Sequence, residues 1–341
     1  MKKIKNSKLR LLCFVIFLPG FTQAENLLLR TELEKEFDDL ASFTHSNSAS
    51  ILNLKTNDDK IIWEKTGDFL VWKAVSKSKV FQPKIELNKR AEFYRLSRTG
   101  PRTPKLYVPN DYDLKKQYPF ILLLHGRMGN SNLMDVFIPL KDLAEENDFI
   151  YCTPDGRLDD FGEQSWWGDE DSTYLKGLID SATEQYSIDK KRIYVIGHSV
   201  GAMFSYKMAH DHADIIAAIV AFSGTGFKDW PYEPEKPVSV LHIHGTHDPI
   251  IWWKGANFYP SVMDNFVKWR EFNQCTKQVA VGNINVRDNL LGKETQVTRY
   301  ENNEGTIVTE LWRINFGGHV PSPNKSSRER IIQWLLKKTR E

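Results

Sequence analysis

From about residue 105 onward, short apolar runs alternate along the chain with segments of helical periodicity. Six runs have the length and composition of buried strands: 118–126, 148–156, 191–199, 216–224, 238–245 and 306–314. Between them, Leu175, Leu178 and Ile179 recur at helical spacing, and Ile331 and Trp334 do so near the end. Strands that alternate with helices indicate βαβ units. The pattern therefore predicts one α/β domain over residues 101–341, with a mostly parallel, doubly wound sheet and helices on both faces.

The segment from 25 to about 100 has a different, more polar character. Its stretch "THSNSAS" (44–50) has the composition of a loop, and residues 60–75 favour a pair of strands around Thr66 and Gly67. The segment is either a small accessory layer packed on the main domain or a partly ordered leader. Its sequence indicates no function.

The first 24 residues have the layout of a secretory signal peptide. A basic stretch, "MKKIKNSKLR", precedes the apolar stretch "LLCFVIFLPGF" and the small-residue end "TQA". An apolar core of about eleven residues is well short of the roughly 20 that a membrane-spanning helix needs. We therefore expect cleavage after about Ala24 and a secreted or periplasmic protein.

Composition and charge exclude several classes of partner. The chain of 341 residues is 41% hydrophobic, which allows a large core. Five of its 46 basic residues lie in the first 24 positions, so 41 basic and 44 acidic residues remain beyond them. With this near balance of charge, the sequence shows no basic stripe that would bind nucleic acid. Beyond the first 24 residues, no segment is predicted to span a membrane.

Three cysteines are present, of which Cys13 lies in the predicted signal peptide. Cys152 and Cys275 remain, and in an oxidising compartment they could form one disulfide. Two free, buried thiols are the alternative.

The stretch "YVIGHSVGAMF" (194–204) contains the pattern G-x-S-x-G between a predicted strand and a predicted helix that begins near Ala202. A serine in this context lies on a sharp, strained turn, with its hydroxyl directed into the cleft. The start of the helix behind it favours the negative charge that develops in acyl transfer. Ser199 is therefore the predicted nucleophile, and the alternative is a serine in an ordinary tight turn.

A serine nucleophile needs a base and an acid that orients this base. His319 follows the last predicted strand, on a loop that Gly317 and Gly318 make flexible. Asp248 lies one short turn beyond the strand 238–245, although an Asp-Pro pair can also simply begin a turn. Residues beyond the carboxyl ends of parallel strands meet at one edge of the sheet. We therefore predict a catalytic triad of Ser199, Asp248 and His319, in the chain order serine, acid, histidine.

An oxyanion hole requires backbone N–H donors. One is expected from Val200, directly after the nucleophile. The second is expected from the glycine-rich stretch "LLHGRMGN" (123–130), at Arg127 or alternatively at Met128. A plain turn after a buried strand is the other interpretation of this stretch.

With these residues in place, the chain resembles the α/β-hydrolase esterases that include extracellular poly(3-hydroxybutyrate) depolymerases and feruloyl esterases. The resemblance covers about residues 100–338. It depends on the motifs "LYVPNDYD", "FILLLHG", "YCTPDG", "DEDSTYLKGLID", "IYVIGHSVGAMFSYKMA", "LHIHGTHDPI" and "GGHVPSP". It implies an α/β-hydrolase fold and the same three roles for Ser199, Asp248 and His319.

The resemblance also marks two departures from the family pattern. Arg127 stands where many relatives carry a cysteine, so that disulfide is not expected. Val320 and Pro321 follow His319 where relatives often carry a tryptophan, so its aromatic contact with the substrate is not expected either. An aspartate that relatives carry at a helix start corresponds to Asp171, where an N-cap role is expected.

Aromatic residues near the predicted cleft are candidates for substrate contact. Trp166 and Trp167 follow the strand that ends near Thr153, and Trp252 and Trp253 follow Asp248. Aromatic walls suit an acyl chain or a sugar ring, with packing in the core as the alternative.

Histidines close to Asp248 raise the question of a metal site. His242 and His244 alternate on one strand and His247 is nearby, so three ligands could hold zinc. Packing within the sheet is the preferred interpretation, and no metal is predicted.

The sequence thus predicts a secreted serine esterase that forms an acyl-enzyme and requires no cofactor. The expected substrates are small-molecule, oligomer or polysaccharide esters of short-chain, hydroxycinnamoyl or hydroxyalkanoate acids. A serine peptidase of the same fold is one alternative. A catalytically inactive carbohydrate-binding relative is the other.

Overall fold

The structure is a computed structural model. It describes residues 54–57, 60–61, 63–65, 71–75, 102, 104–159, 162–228, 233–290 and 292–340. The predicted signal peptide (1–24), the loop-like stretch 44–50, and Thr66 and Gly67 lie outside the described residues.

The described part of the chain contains fifteen strands and six helices. The strands are β1 (Leu54–Asn57), β2 (Lys60–Ile61), β3 (Trp63–Lys65), β4 (Val71–Val75), β5 (Lys105–Tyr107), β6 (Tyr118–Leu124), β7 (Ile150–Thr153), β8 (Arg157–Leu158), β9 (Gln164–Ser165), β10 (Ile188–His198), β11 (Ala218–Phe222), β12 (Ser239–Gly245), β13 (Lys277–Val279), β14 (Thr295–Glu301) and β15 (Val308–Ile314). The helices are α1 (Ser131–Phe137), α2 (Lys141–Asn147), α3 (Gly168–Gln185), α4 (Val200–Asp211), α5 (Val262–Phe272) and α6 (Lys325–Leu336).

Among the described residues, thirteen strands form one sheet. Their order is β13-β14-β15-β12-β11-β10-β6-β7-β5-β4-β1-β2, and β3 pairs with β4. The six central strands, from β15 to β7 in this order, are parallel to one another. Antiparallel strands flank them on both sides. This architecture confirms the predicted fold class.

The six strands predicted from the sequence are the six central parallel strands. The predictions miss β5, β13 and β14, which lie outside this central set. In β14, six of the seven residues are only partly buried or exposed. A strand of this kind lacks the continuous apolar run by which a buried parallel strand is recognised.

The core consists of two layers, one on each face of the sheet. Along β6, Phe120, Leu122 and Leu124 belong to one apolar cluster, whereas Ile121 and Leu123 belong to the other. The first cluster receives the apolar sides of α3 and α4, and the second receives those of α1, α2 and α6. Since successive residues of a strand point to opposite faces, this division accounts for the continuous apolar sequence of β6.

Helix starts are fixed by side-chain caps in three cases. Asn130, Ser261 and Asn324 each accept a hydrogen bond from the backbone N–H three residues later, at 3.0, 3.0 and 2.9 Å.

The N-cap role expected for Asp171 is wrong. The N-cap of α3 is Trp167, and Asp171 lies inside the first turn. Its carboxylate accepts the Trp167 N–H at 2.5 Å and forms an ion pair with Arg102, so it still stabilises the start of the helix.

The described part of the N-terminal segment extends the main sheet. β3 and β4 are antiparallel, in agreement with the strand pair expected around Thr66 and Gly67. β4 pairs with β5, which joins this part to the edge of the sheet beside β7. In its described strands, the segment continues the sheet and does not form a separate layer.

The two cysteines beyond the predicted signal peptide are buried and unpaired as thiols. Cys152 lies on β7 and Cys275 follows α5. The disulfide alternative is therefore wrong for this structure. None of the helices described is both long and apolar enough to cross a membrane.

Candidate active site

Ser199 occupies the turn between β10 and α4. Its backbone has φ 55° and ψ −120°, a conformation that a residue with a side chain rarely adopts. The Ser199 N–H donates to the Phe222 carbonyl at 2.8 Å, which ties the turn to the neighbouring strand. Strained backbone of this kind persists only where the surrounding structure holds it, and it concentrates at functional sites.

The two glycines that flank Ser199 are required by close packing. A Cβ atom on Gly197 would lie 2.1 Å from the Gly201 carbonyl oxygen. A Cβ atom on Gly201 would lie 2.4 Å from the Leu124 carbonyl oxygen on β6. Because the obstacles are backbone atoms, neither clash can be relieved by a change of rotamer. The G-x-S-x-G pattern therefore reflects a turn packed directly against the sheet.

The structure brings together the three residues that the sequence predicts as a triad. His319 Nε2 lies 2.9 Å from Ser199 Oγ. His319 Nδ1 lies 3.0 and 2.8 Å from the two oxygens of Asp248. The residues are only 7%, 5% and 4% exposed for Ser199, His319 and Asp248, respectively. A hydroxyl, an imidazole and a carboxylate thus form one continuous hydrogen-bonded line.

Backbone contacts fix the loop that carries His319. The His247 N–H donates to the Gly317 carbonyl at 2.9 Å. His198, directly before Ser199, donates from Nε2 to the His319 carbonyl at 2.9 Å, and the rings of His198 and His319 are 4.9 Å apart. Sequence reasoning expected a flexible loop, and it missed His198. His198 precedes Ser199 in the sequence and also contacts the His319 carbonyl. Because this contact joins positions 121 residues apart, sequence spacing does not reveal it.

His198 is held in its neutral form. Burial, together with the neighbouring His319, lowers the pKa of His198 to about 3. A neutral His198 places no positive charge beside His319. His198 therefore does not oppose the uptake of a proton by His319.

Asp248 accepts several hydrogen bonds in addition to that from His319. Its Oδ1 accepts the N–H groups of Ile250 and Ile251 at 2.8 and 2.9 Å. Its Oδ2 lies 3.2 Å from His244 Nε2. Burial alone would raise the pKa of Asp248, but His319 and the hydrogen bond from His244 lower it well below its usual range. Asp248 is therefore ionised.

The loop expected to supply an oxyanion donor follows β6. Met128 N–H donates to the Gln164 carbonyl at 2.9 Å, which argues against Met128 as the donor. The Arg127 side chain forms an ion pair with Asp159 at 2.5 Å. Val200 is the first residue of α4, directly after Ser199. The N–H groups of Val200 and Arg127 remain the predicted pair.

His125 fixes the start of this loop, and sequence reasoning missed its role. One ring nitrogen, Nδ1, lies 2.7 Å from the Gly126 carbonyl, and Nε2 accepts the Gly156 N–H at 2.8 Å. Burial lowers the pKa of His125, so the ring is neutral and can make both bonds. Its own carbonyl accepts from Trp166 Nε1 at 2.8 Å.

The adjacent tryptophans have opposite environments. Trp166 is 1% exposed and packs beside His125 and Phe204, so its expected contact with substrate is wrong and it belongs to the core. Trp167 is 62% exposed, with its ring 5.7 Å from Phe227. Trp252 is partly buried, and its Nε1 donates to the Pro249 carbonyl at 3.1 Å.

A separate apolar cluster, here called the cleft cluster, connects the elements that carry the site. Its buried members are Met203, Ile250, Ile251 and Tyr259, and Met128, Phe227 and Ala256 pack against them. Met203 lies one helical turn after Ser199, and the two isoleucines follow Asp248 closely. The exposed Trp167 ring contacts this cluster through Phe227. Sequence reasoning missed the cluster because its members come from four separate stretches of the chain.

The histidines considered as metal ligands are hydrogen-bonded to protein groups. His242 Nε2 lies 3.1 Å from His244 Nδ1, and His242 Nδ1 lies 2.7 Å from the Tyr206 hydroxyl. His247 is next to Thr246 and Phe316. Within the described ranges, no cluster of three or more His, Cys, Asp or Glu side chains could hold a metal ion.

Comparison with known proteins finds esterases. Residues 153–280 match the phospholipase/carboxylesterase family, a range that includes Ser199 and Asp248. The chain is 29% identical, over 67% of its length, to a bifunctional acetylxylan esterase/xylanase of Neocallimastix patriciarum. It is 24% identical, also over 67% of its length, to feruloyl esterase B of Piromyces equi. The match spans 32% and 44% of those two relatives, respectively.

Among solved structures, an acetyl xylan esterase from Aspergillus awamori shares the fold. The TM-score is 0.50 at 14% sequence identity, over 69% of this chain and 94% of the other. Together these likenesses confirm the predicted α/β-hydrolase fold. They also confirm the predicted resemblance to esterases of the feruloyl esterase kind.

Proposed function

We propose that this protein is a serine carboxylic ester hydrolase that acts through an acyl-enzyme. The observation that carries the proposal is the 2.9 Å contact between Ser199 Oγ and His319 Nε2 at a strained strand-to-helix turn. The likeness to carboxylesterases, feruloyl esterases and acetylxylan esterases supports it. Such a serine is weakly nucleophilic until a positioned base removes its proton.

In the proposed acylation step, Ser199 Oγ attacks the ester carbonyl and His319 Nε2 takes the hydroxyl proton. Asp248 holds the His319 ring through Nδ1 and stabilises the imidazolium that forms. The N–H groups of Val200 and Arg127 bind the negative oxygen of the tetrahedral intermediate. His319 then gives its proton to the leaving alcohol, and the carbon–oxygen bond to that alcohol breaks.

In the proposed deacylation step, water replaces the alcohol. His319 removes a proton from the water as its oxygen attacks the acyl carbon. The bond to Ser199 Oγ breaks, the proton returns to Ser199, and the carboxylic acid is released. This step consumes only the acyl-enzyme and one water molecule.

We propose that the substrates are esters with a short-chain, hydroxycinnamoyl or hydroxyalkanoate acyl group. The cleft cluster supports an apolar acyl group, because it lies one helical turn from Ser199 and immediately after Asp248. Trp167 supports contact with the remainder of the substrate, since a tryptophan that is 62% exposed offers a planar surface to a sugar or aromatic ring. Trp252 is proposed to contribute to the same wall.

The proposal is tested by assays of the wild type and Ser199→Ala on a panel of esters. The panel contains p-nitrophenyl acetate, p-nitrophenyl butyrate, methyl ferulate, a hydroxybutyrate oligomer and a peptide anilide. We expect ester turnover by the wild type and a loss on the order of 10⁴-fold or more in the variant. Turnover of the anilide alone would indicate a peptidase, and equal turnover by both proteins would refute the proposal.

We also propose that residues 1–24 direct secretion and are removed. The basic, apolar and small-residue order of this segment supports this. Expression of the full chain in a secreting host, followed by N-terminal sequencing of the exported protein, tests it. A mature start near Glu25 is expected, whereas an intact Met1 on the exported protein would contradict the proposal.

A further inference from the structure

A line of buried polar side chains connects Asp248 through β12 to α4. Tyr206 on α4 and His242 and His244 on β12 are 3%, 0% and 0% exposed. Tyr206 Oη lies 2.7 Å from His242 Nδ1, and His242 Nε2 lies 3.1 Å from His244 Nδ1. His244 Nε2 lies 2.7 Å from the Ile251 carbonyl and 3.2 Å from Asp248 Oδ2. Every ring nitrogen of the two histidines therefore has a partner.

The Ile251 carbonyl fixes the direction of these hydrogen bonds. A carbonyl oxygen can only accept, so His244 Nε2 must carry a proton. If His244 is neutral, its Nδ1 is an acceptor and receives the proton of His242 Nε2. His242 Nδ1 in turn accepts from the Tyr206 hydroxyl. The donors therefore run from Tyr206 through His242 to His244. The Nε2 proton of His244 is directed at the Ile251 carbonyl at 2.7 Å, with Asp248 Oδ2 at 3.2 Å from the same nitrogen.

Burial also argues that His242 is neutral in this line. Burial, together with the nearby His244, lowers the pKa of His242 well below its ordinary value. Polar groups without water are costly unless they are hydrogen-bonded, and apolar side chains would fill the same space at lower cost. Two imidazoles and a phenol in this buried position therefore indicate a role beyond packing.

We infer that Tyr206, His242 and His244 form a positioning chain that holds the carboxylate of Asp248 in the orientation required by His319. His244 is the member that touches Asp248, on the same oxygen that lies 2.8 Å from His319 Nδ1. His242 and Tyr206 fix the tautomer of His244 from behind. The inference rests on the proposed function, because it assigns these three side chains to the same reaction.

Two substitutions of His244 separate positioning from packing. In His244→Gln, the amide nitrogen reaches the former place of Nε2 and can still donate to Asp248. In His244→Asn, the shorter side chain places its polar atoms near the former Nδ1, so the donor is lost. We expect Gln to keep most of kcat and Asn to lower kcat about tenfold with KM unchanged.

The pH profile gives a readout that a purely structural role would not move. Without the donor, the negative charge of Asp248 is less stabilised by hydrogen bonds, which favours a proton on His319. In His244→Asn, the acid limb of the kcat/KM profile should therefore move to higher pH. His198 is a second titratable group that faces His319, and it is the same residue in both His244 variants.

Tyr206→Phe tests the far end of the chain, with Tyr194→Phe as a matched control. Tyr194 is a buried tyrosine whose hydroxyl donates to the Lys338 carbonyl at 2.7 Å, outside this line. We expect Tyr206→Phe to lower kcat about threefold and to shift the acid limb in the same direction as His244→Asn. Tyr194→Phe should leave both unchanged.

NMR spectroscopy of protein labelled with ¹⁵N-histidine tests the chain without any assay of turnover. At pH 7, we expect His242 and His244 both as neutral rings with the proton on Nε2. A proton on Nδ1 of either ring, or an imidazolium form of either, would overturn the inference. So would wild-type kcat and pH profile in His244→Asn, or equal losses in His244→Gln and His244→Asn without movement of the acid limb. If Ser199→Ala retained turnover, the proposed function would fail, whereas the tautomers would still be measured.

Discussion

Asp248 engages His319 with both carboxylate oxygens, at 3.0 and 2.8 Å from the same Nδ1 atom. This relationship orients the ring so that its other nitrogen lies 2.9 Å from Ser199 Oγ. A carboxylate only accepts, so His319 Nδ1 carries the proton and Nε2 faces the Ser199 hydroxyl as an acceptor. This is the tautomer that the proposed mechanism requires.

Asp248→Asn should leave the fold intact and lower kcat on the order of 10⁴-fold. An asparagine amide can donate to Nδ1 and so favours the wrong tautomer of His319. Steady-state kinetics on p-nitrophenyl acetate measure the effect. Asp180→Asn serves as a control, because Asp180 is exposed and pairs with Lys176 on the outer side of α3. Equal activity of the two variants would contradict the role of Asp248.

The glycines around Ser199 should not tolerate a methyl group. We expect Gly197→Ala to lower the free energy of unfolding by about 3 kcal/mol or more, because its Cβ would overlap the Gly201 carbonyl. Gly282→Ala is the matched control, since Gly282 has φ +76° but nothing within 4 Å of the added atom. The control should cost about 1 kcal/mol. Urea unfolding measures both, and equal losses would contradict the packing argument.

His198 should make stability depend on pH. Its pKa in the folded protein is about 3, whereas an unfolded histidine titrates near 6.5. Below pH 6.5 the unfolded chain takes up a proton that the folded protein does not, so stability falls as the pH falls toward 3. The His198 contribution lost between pH 7 and pH 5 is about 2 kcal/mol.

His198→Gln isolates this contribution, since glutamine can still donate to the His319 carbonyl but does not titrate. Urea unfolding of both proteins at pH 7 and pH 5 measures it. The stability difference between wild type and variant should shift in favour of the variant by about 2 kcal/mol at the lower pH. An unchanged difference would show that His198 titrates alike in both states.

The neighbouring tryptophans provide a test of the cleft wall. Trp166→Ala should lower the free energy of unfolding by about 3–5 kcal/mol, because it empties a core site. Trp167→Ala should change stability by less than about 0.5 kcal/mol and raise KM for methyl ferulate more than for p-nitrophenyl acetate. Thermal unfolding and kinetics on the two esters separate these effects. An equal rise of KM for both esters would exclude Trp167 as a wall for the larger substrate.

The sequence predicts the central sheet and the three aligned residues well, for a simple physical reason. Ser199, Asp248 and His319 each follow a buried parallel strand, and the ends of such strands meet at one edge. The pattern that identifies the strands therefore also brings the three residues together. The antiparallel strands β13 and β14 are not predicted because partly exposed strands carry a mixed pattern of apolar and polar residues.

What the sequence does not predict depends on contacts between distant positions. Trp166 and Trp167 are adjacent and identical, yet only the tertiary structure buries one and exposes the other. His198 contacts the backbone of His319, which is far away in the sequence. His244 contacts Asp248 four positions later, but many residues near the end of a strand have this spacing without any contact. Spacing along the chain cannot reveal which of these pairs meet.

Detection of the acyl-enzyme itself tests the proposed mechanism most directly. Wild-type protein and Ser199→Ala are mixed with excess p-nitrophenyl acetate, quenched in acid within the first turnover and analysed by intact and peptide mass spectrometry. We expect a mass increase of one acetyl group on the wild type, located on Ser199, and a burst of one equivalent of p-nitrophenol. An acetyl group on another residue, or ester turnover by Ser199→Ala at the wild-type rate, would contradict the mechanism.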